Sequence, residues 1–339
     1  MTRASSSVTE AAPAELGAVL AAGGHELAAL LERVEHRLAQ VAEGHGPSLG
    51  QHASRTTSAG GKRLRPMLVF LCGGEGAGGR HGDGLVRAGV AVELVHTATL
   101  VHDDVLDRAA LRRGRPTVYR LGGRPAATAT GDLLFSRAFA ELAATGVAQS
   151  VRALSSASSA LARGELMQRA DAWSSVTIER YLERCRLKTA RLFEAACRLG
   201  ALLGAPGPAP ASRLGVYGDR IGLAFQIFDD VLDVSGPSER TGKARGTDLL
   251  DGTVTLPLIL ARERDPDLRA LDLRSTVTDS AAAEAVCDRI AATGALGAAR
   301  ERALAFVAEA KLELEGIALD NRSRRALGLV ADGVVERYS

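Results

Sequence analysis

The chain has 339 residues, of which 46% are hydrophobic and 24% charged, with a formal net charge of +2. That is ordinary globular composition, long enough for one large domain or two smaller ones, and the balanced charge implies no general affinity for nucleic acid or an acidic membrane. Aromatic residues are only 4%, alternating β-type segments are missing, and helix-forming Ala, Leu, Arg and Glu dominate, which predicts an all-α protein.

Residues 1–14 are expected to form a disordered tail, with no apolar core of signal-peptide type. Helical spacing begins near Glu15 and runs through Leu27, Leu30, Leu31, Val34 and Leu38. Gly44–Pro47 breaks it, and Gly60-Gly61 breaks the chain again before Lys62-Arg63-Leu64-Arg65-Pro66. Pro66 suits the first turn of a helix, and Met67–Cys72 is apolar. Gly73–Gly84 reads as a flexible connector, because no GxGxxG follows a strand there. Leu85–Asp107 predicts one long buried helix, and Arg108–Pro116 a basic connector. Helices are expected over Ala126–Ala144, Ser150–Arg169 and Glu179–Leu203.

Gly204–Ala211 is a helix breaker. Both sides of it read as helical, so it is taken as a loop within one domain, residues 15–339. Arg213–Val234 is the next helix, Ser235–Thr253 a Gly- and charge-rich loop, and Leu256–Arg264, Ser280–Thr293, Leu296–Gly316 and Ser323–Arg337 the last helices. No 18 consecutive apolar residues occur, so no transmembrane helix is expected. Cys72, Cys185, Cys197 and Cys287 are scattered and read as reduced core thiols of a cytoplasmic protein. No histidines form a zinc-type pair.

Five residues occur twice. Asp103-Asp104-Val105-Leu106-Asp107 and Asp229-Asp230-Val231-Leu232-Asp233 both read DDVLD, each at the polar end of an apolar run. Residues four apart on a helix lie about 40° apart around its axis. Asp103 with Asp107, and Asp229 with Asp233, therefore each put two carboxylates on one face. Such charge is costly to bury without a cation, and Mg²⁺ takes oxygen ligands of this kind.

The cations lie elsewhere in the sequence. Lys62, Arg63 and Arg65 form one cluster, Arg112, Arg113 and Arg115 another, and Lys188, Arg191 and Lys243 are more scattered. Taken singly, Arg63 and Arg115 read as solvated surface. Taken together, separate acidic and basic clusters point to a polyanionic substrate, with arginines suited to bidentate phosphate contact. A metal-bound diphosphate is a good leaving group. Long apolar helices with few aromatics leave room for a deep apolar cavity, so an allylic isoprenoid diphosphate fits both ends.

These residues resemble the trans-isoprenyl diphosphate synthases, or polyprenyl synthetases. The resemblance runs from about Gly60 to the C-terminus. It rests on GGKRLRP (Gly60 to Pro66), ELVHTATLVHDDVLD (Glu93 to Asp107), LRRGRPT (Leu111 to Thr117), GDLLFSRAF (Gly131 to Phe139), GELMQ (Gly164 to Gln168), LKTARLFEAA (Leu187 to Ala196), AFQIFDDVLD (Ala224 to Asp233), GKARGTDL (Gly242 to Leu249) and VTLPLI (Val254 to Ile259).

The resemblance implies a homodimeric all-α bundle around a deep central cavity. Asp103, Asp104, Asp107, Asp229, Asp230 and Asp233 would hold Mg²⁺, three ions with diphosphate bound. Arg112, Lys188 and Lys243 would contact the allylic diphosphate, with farnesyl or geranylgeranyl diphosphate as primer. Lys62, Arg65, His96 and Arg113 would bind isopentenyl diphosphate. Lys188, Thr189 and Gln226 would be the catalytic residues, Thr189 and Gln226 lying near the allylic carbon and offering oxygen dipoles to the forming cation. Ionisation, attack by the isopentenyl double bond and proton loss to the released pyrophosphate complete the reaction.

His96 is raised above a core histidine only by its place in that match, whereas His102, beside Asp103, is taken as structural or as a support behind the metal ligands. One position departs: the family usually has Lys, a contact to the allylic diphosphate, where this chain has Thr253, so either Arg245 substitutes or allylic affinity is lower.

Product length should be set on the first acidic helix. Thr99 lies four residues before Asp103, one turn deeper, and Ala98 lies beside it. In the family an aromatic residue at either place fixes short products. Here both are small, Val95 below is modest, and Phe135 and Phe139 read as core packing. The expectation is a product of about six to ten isoprene units, from a helix rise of about 1.5 Å per residue and the resemblance. The alternatives are a geranylgeranyl diphosphate synthase, a class I terpene cyclase, against which Lys62, Arg65 and Arg113 argue, and a non-catalytic subunit of a heteromeric synthase.

Overall fold

The computed structural model describes residues 14–74, 79, 81–112, 114–236 and 245–336. Its first helices are α1 (Ala14–Val41), α2 (Pro47–Thr57), α3 (Leu64–Gly73) and α4 (Gly82–Leu106). A two-stranded antiparallel hairpin follows, β1 (Leu111–Arg112) and β2 (Arg115–Pro116), with Leu111 paired to Pro116 and Arg112 to Arg115. Then come α5 (Val118–Ala143), α6 (Ala148–Ala170), α7 (Ile178–Cys185), a π-helical turn (Arg186–Ala190), α8 (Arg191–Leu203) and α9 (Pro208–Ser235). Four short helices, Thr247–Leu250, Leu256–Arg264, Pro266–Ala270 and Leu273–Thr276, lead to longer ones at Ser280–Ala292, Ala295–Glu313 and Asn321–Glu336. The fold is all-α, as composition predicts. The expected tail lies outside the described residues, apart from Ala14.

Several boundaries differ from expectation for local reasons. The break read at Gly44–Pro47 is the entry to α2, with Pro47 in its first turn, where its missing N–H costs nothing. α5 has an extra first segment from Val118, capped by the Thr117 hydroxyl accepting the Arg120 N–H at 3.0 Å, and breaks at Gly123 (φ 73°), so the helix expected from Ala126 is its second segment. The predicted Glu179–Leu203 helix is α7, the π turn and α8 in succession.

The core is centred on α3, α4 and α8. α4 packs against α1, α3, α5 and α8, and α8 packs against α3, α4, α6 and α9. Apolar residues lie on all sides of α4, including Leu85, Val90, Leu94 and Val95, each wholly buried, as expected of a helix with no solvent face. Each such side chain contributes roughly 1.5–3 kcal/mol by burial. α4 is long and apolar enough to cross a membrane, but 72% of that stretch is buried inside the bundle, which marks a core helix. The four cysteines are free and buried. The C-terminal end of the buried helix α4 carries the first DDVLD.

Candidate active site

Both acidic motifs lie at helix C-terminal ends, on α4 and α9. In the first motif, Asp104 is buried and accepts Arg112 Nε at 2.8 Å. That guanidinium is delivered by the hairpin. Asp107 accepts Arg169 Nη2 at 2.9 Å, and Arg169 Nε in turn donates to Glu165 at 2.9 Å. Glu165 also takes the Lys188 ammonium. Burial pushes Asp103 up to about 6, with Lys188 opposing and Glu165 and Asp107 reinforcing the rise.

The second motif is held differently. Asp230 is buried and accepts Tyr181 Oη at 2.6 Å and Gln226 Nε2 at 2.8 Å. Gln226 Oε1 accepts the Thr189 hydroxyl at 2.7 Å. Burial pushes Asp230 up to about 7 against those two hydrogen bonds. Asp233 accepts the N–H groups of Thr247 and Asp248, both at 3.2 Å, and Asp229 is exposed.

The π turn joins the two sets. Lys188 and Thr189 are neighbours on it, so one polar chain runs Asp107–Arg169–Glu165–Lys188 and resumes as Thr189–Gln226–Asp230–Tyr181. α6 meets the turn at backbone distance. A Cβ added at Gly164 would lie 2.6 Å from the Lys188 nitrogen, a clash with main chain. Such inserted π turns recur at functional sites because they re-aim side chains within a helix.

Around this centre the expected basic residues separate. Lys62 is exposed. Arg65 stacks over the Phe193 ring at 4.6 Å, and Phe193 pairs with Phe225 at 5.6 Å, next to Gln226. Arg63 is not solvated surface. It is only 8% exposed, has φ 47°, and donates to Glu35, to Glu93 at 2.6 Å and to the Thr57 carbonyl at 3.0 Å. Burial alone would lower its basicity, but Glu35 and Glu93 hold the guanidinium charged. Sequence proximity to Lys62 and Arg65 concealed this, since Glu35 and Glu93 lie 28 and 30 residues away in sequence.

A cavity of about 410 Å³ lies on the adjoining face of α4, lined by Gly60, Arg63, Glu93, His96, Asp104 and Arg112 among others. It gathers His96 and Arg112 but not Lys62, Arg65 or Lys188. Thr99 is half-buried, its hydroxyl donating to the His96 carbonyl at 2.7 Å, while Ala98 and Val95 are fully buried. His102 stacks on Phe135 at 5.8 Å, and its Nε2 lies 3.4 Å from the Thr128 carbonyl, the structural placement expected. Arg113 and Lys243 lie outside the described residues.

Among the described residues no three His, Cys, Asp or Glu side chains converge as a ready metal cage. The available donors are carboxylate oxygens from two separate helix ends. That suits Mg²⁺, which prefers oxygen and keeps places for water and substrate phosphate.

The polyprenyl synthetase family model matches residues 47–293. The chain belongs to this family. A heptaprenyl diphosphate synthase component 2 from Geobacillus stearothermophilus is 38% identical over 309 residues, 91% of this chain and 93% of that one. A geranylgeranyl diphosphate synthase from Methanosarcina mazei is 35% identical over 285 residues, 82% and 86% of the two chains. The crystal structure of a decaprenyl diphosphate synthase from Rhodobacter capsulatus superposes with a TM-score of 0.86 at 34% identity, covering 96% and 99%. A polyprenyl synthase from Caulobacter crescentus, solved with calcium and isoprenyl diphosphate, gives 0.84 at 32% identity, covering 96% and 98%.

Two features of this polyprenyl synthetase bear on the departure at Thr253. Arg245, the candidate substitute, donates to the Val234 carbonyl and to Asp288, the latter at 2.7 Å. Thr253 itself is half-buried, its N–H donating to the Asp248 carbonyl at 2.8 Å. Sequence reasoning also missed Glu165, Arg169 and Tyr181. For the first two a signal existed, an acid four residues before a base on one helix. For Tyr181 there was none, because its partner Asp230 is 49 residues away.

Proposed function

We propose that this polyprenyl synthetase condenses isopentenyl diphosphate head-to-tail with an allylic diphosphate, farnesyl or geranylgeranyl, to a product of about six to ten isoprene units, the length resting on the helix-rise estimate. The observation that carries the reading is the polar chain through the π turn, which sets Lys188 beside the first acidic motif and Thr189 with Gln226 beside the second.

Asp103, Asp104 and Asp107, with Asp229, Asp230 and Asp233, are the residues that would hold Mg²⁺. When bound, the metal supplies charge stabilisation to the departing diphosphate. Lys188 and Arg112 bind and orient that diphosphate as cations in a partly dehydrated site. Lys243 joins them in this reading. Thr189 and Gln226 direct oxygen lone pairs at the cation left on the allylic carbon. Arg65, Lys62, His96 and Arg113 hold isopentenyl diphosphate so that its double bond attacks that carbon. No protein base is assigned to the proton then lost, and the released pyrophosphate is a sufficient acceptor.

Small Ala98 and Thr99 leave the first acidic helix without an aromatic plug, which supports a medium or long product. The homodimer and the cytoplasmic location belong to the same reading. Incubating the purified chain alone with labelled isopentenyl diphosphate, farnesyl diphosphate and Mg²⁺, then sizing the products, tests it. Label left wholly in isopentenyl diphosphate rejects the synthase. Label incorporated only after a second protein is added supports the heteromeric reading that the relative's designation as a component invites. A product of four units makes this a geranylgeranyl diphosphate synthase.

A further inference from the structure

Arg184, in the last turn of α7, is a buried cation with no part in the mechanism above. Its side chain is 4% exposed. Nη2 donates to the Val254 carbonyl. Nη1 is buried without a hydrogen-bond partner, 3.8 Å from Asp171 Oδ2. The guanidinium carbon lies 5.6 Å from the Tyr181 ring centroid, and Tyr181 is the residue whose hydroxyl binds Asp230. The Asp171 carboxylate compensates the buried charge at ion-pair distance.

The segment that Arg184 grips is itself tightly fixed. The Trp173 N–H donates to the Gly252 carbonyl at 2.9 Å, and Trp173 has φ 63°, a strained conformation for a bulky residue. Gly252 has φ 73°, and a Cβ there would meet the Trp173 indole at 2.3 Å. Asp171, at the end of α6, is forked by Arg180 at 3.0–3.2 Å. The end of α6, α7 and the stretch from Gly252 to Val254 are therefore one clamp, and Thr253 sits inside it between two anchored neighbours. Backbone strain of this kind persists only where the surroundings over-determine it, and it concentrates near functional sites.

We propose that Arg184 is a positioning residue for prenyl transfer: it fixes the Gly252–Val254 segment through the Val254 carbonyl and supplies the permanent positive charge behind Asp230 that neutral Thr253 does not. This rests on the synthase reading above. Its effect belongs on the allylic side, because Asp230 and Gln226 share one hydrogen-bonded set with Thr189. The isopentenyl residues His96 and Lys62 are on other elements.

The test uses the full chain with Mg²⁺, measuring kcat and both KM values for wild type, Arg184→Met, Arg184→Lys, Thr253→Lys and the double variant Arg184→Met with Thr253→Lys. Wild-type turnover is the control for the synthase reading and is independent of the variants. Arg184→Met raises the allylic KM about tenfold, the loss of one charge-assisted contact, and leaves the isopentenyl KM within about twofold. Arg184→Lys keeps the charge and recovers most of the loss, and Thr253→Lys restores the allylic KM in the Met background. Equal changes in both KM values, or no rescue by either lysine, overturn the proposal. Should Arg184→Met fail to fold, Arg184→Lys and Thr253→Lys decide it. An allylic KM that rises in the first as much as the isopentenyl KM, or does not fall in the second, counts against it.

Discussion

Arg63 shows how far one residue can depart from its sequence neighbourhood. It stands between Lys62 and Arg65, in a run that reads as a basic phosphate cluster, yet its guanidinium is buried on Glu93 and Glu35. Replacing it with Met strands Glu93, which is only 6% exposed. Breaking such a buried pair from one side costs about 3–5 kcal/mol, so Arg63→Met lowers the denaturant midpoint strongly, while Arg55→Met leaves it in place. A smaller effect would mean that Glu93 finds another partner. A second ion pair gives a pH signature. Asp265 is held below its ordinary value by Arg289 and by the N–H groups of Leu268 and Asp267. A depressed carboxylate stabilises the fold above its unfolded value, 3.8, and loses that contribution as pH falls through the folded one. Arg289→Met therefore removes that contribution at neutral pH and flattens the acid limb, so the variant is less stable than wild type above about pH 4 and converges with it at lower pH.

At the scale of elements, the π turn is where local structure and chemistry meet. It puts Lys188 and Thr189 between two acidic helix ends, and α6 touches it with no side chain at Gly164. Gly164→Val drives a branched side chain into main chain and costs about 1–3 kcal/mol of overpacking. It also displaces Lys188, so it lowers kcat out of proportion to the stability lost. If activity follows stability alone in a thermal-shift and turnover comparison, the turn is only a packing device. Much of the element pattern was legible in sequence. Apolar spacing found α1, α4, α6 and α9 closely, because each buries a continuous surface. The π turn was not legible, since an inserted residue changes the hydrogen-bond register without changing the hydrophobic pattern. Nor was the hairpin, whose four paired residues carry no alternation, although it delivers Arg112 to Asp104.

For the whole molecule, the two DDVLD copies and the basic groups were recognisable by type, and the fold joins Arg112 to Asp104 and links Lys188 to Asp107 through Glu165 and Arg169. What sequence could not assign was which base meets which acid, because those pairs span from 8 residues (Arg112 and Asp104) to 62 (Arg169 and Asp107). Product length is the molecular property most open to test. Ala98→Phe adds a large ring one turn from the first motif and shortens the products sharply toward four isoprene units or fewer, an estimate from the roughly 5.4 Å helical pitch. Thin-layer or mass analysis of the chain-length distribution reads this directly. An unchanged distribution would put the limiting wall on another helix.

The contrast between the two acidic motifs has a consequence for the order of events. Asp104 and Asp107 are occupied by guanidinium groups on flexible side chains, one from a hairpin and one from the edge of α6. Asp230 and Asp233 are occupied by a phenol, an amide and backbone N–H groups that have nowhere else to go. Under the synthase reading, an arriving diphosphate would compete with Asp104 for Arg112 and free that carboxylate, whereas the neutral partners of the second motif would not be drawn away. Identical pentads would then serve as latch and anvil, with the substrate the key to only one of them.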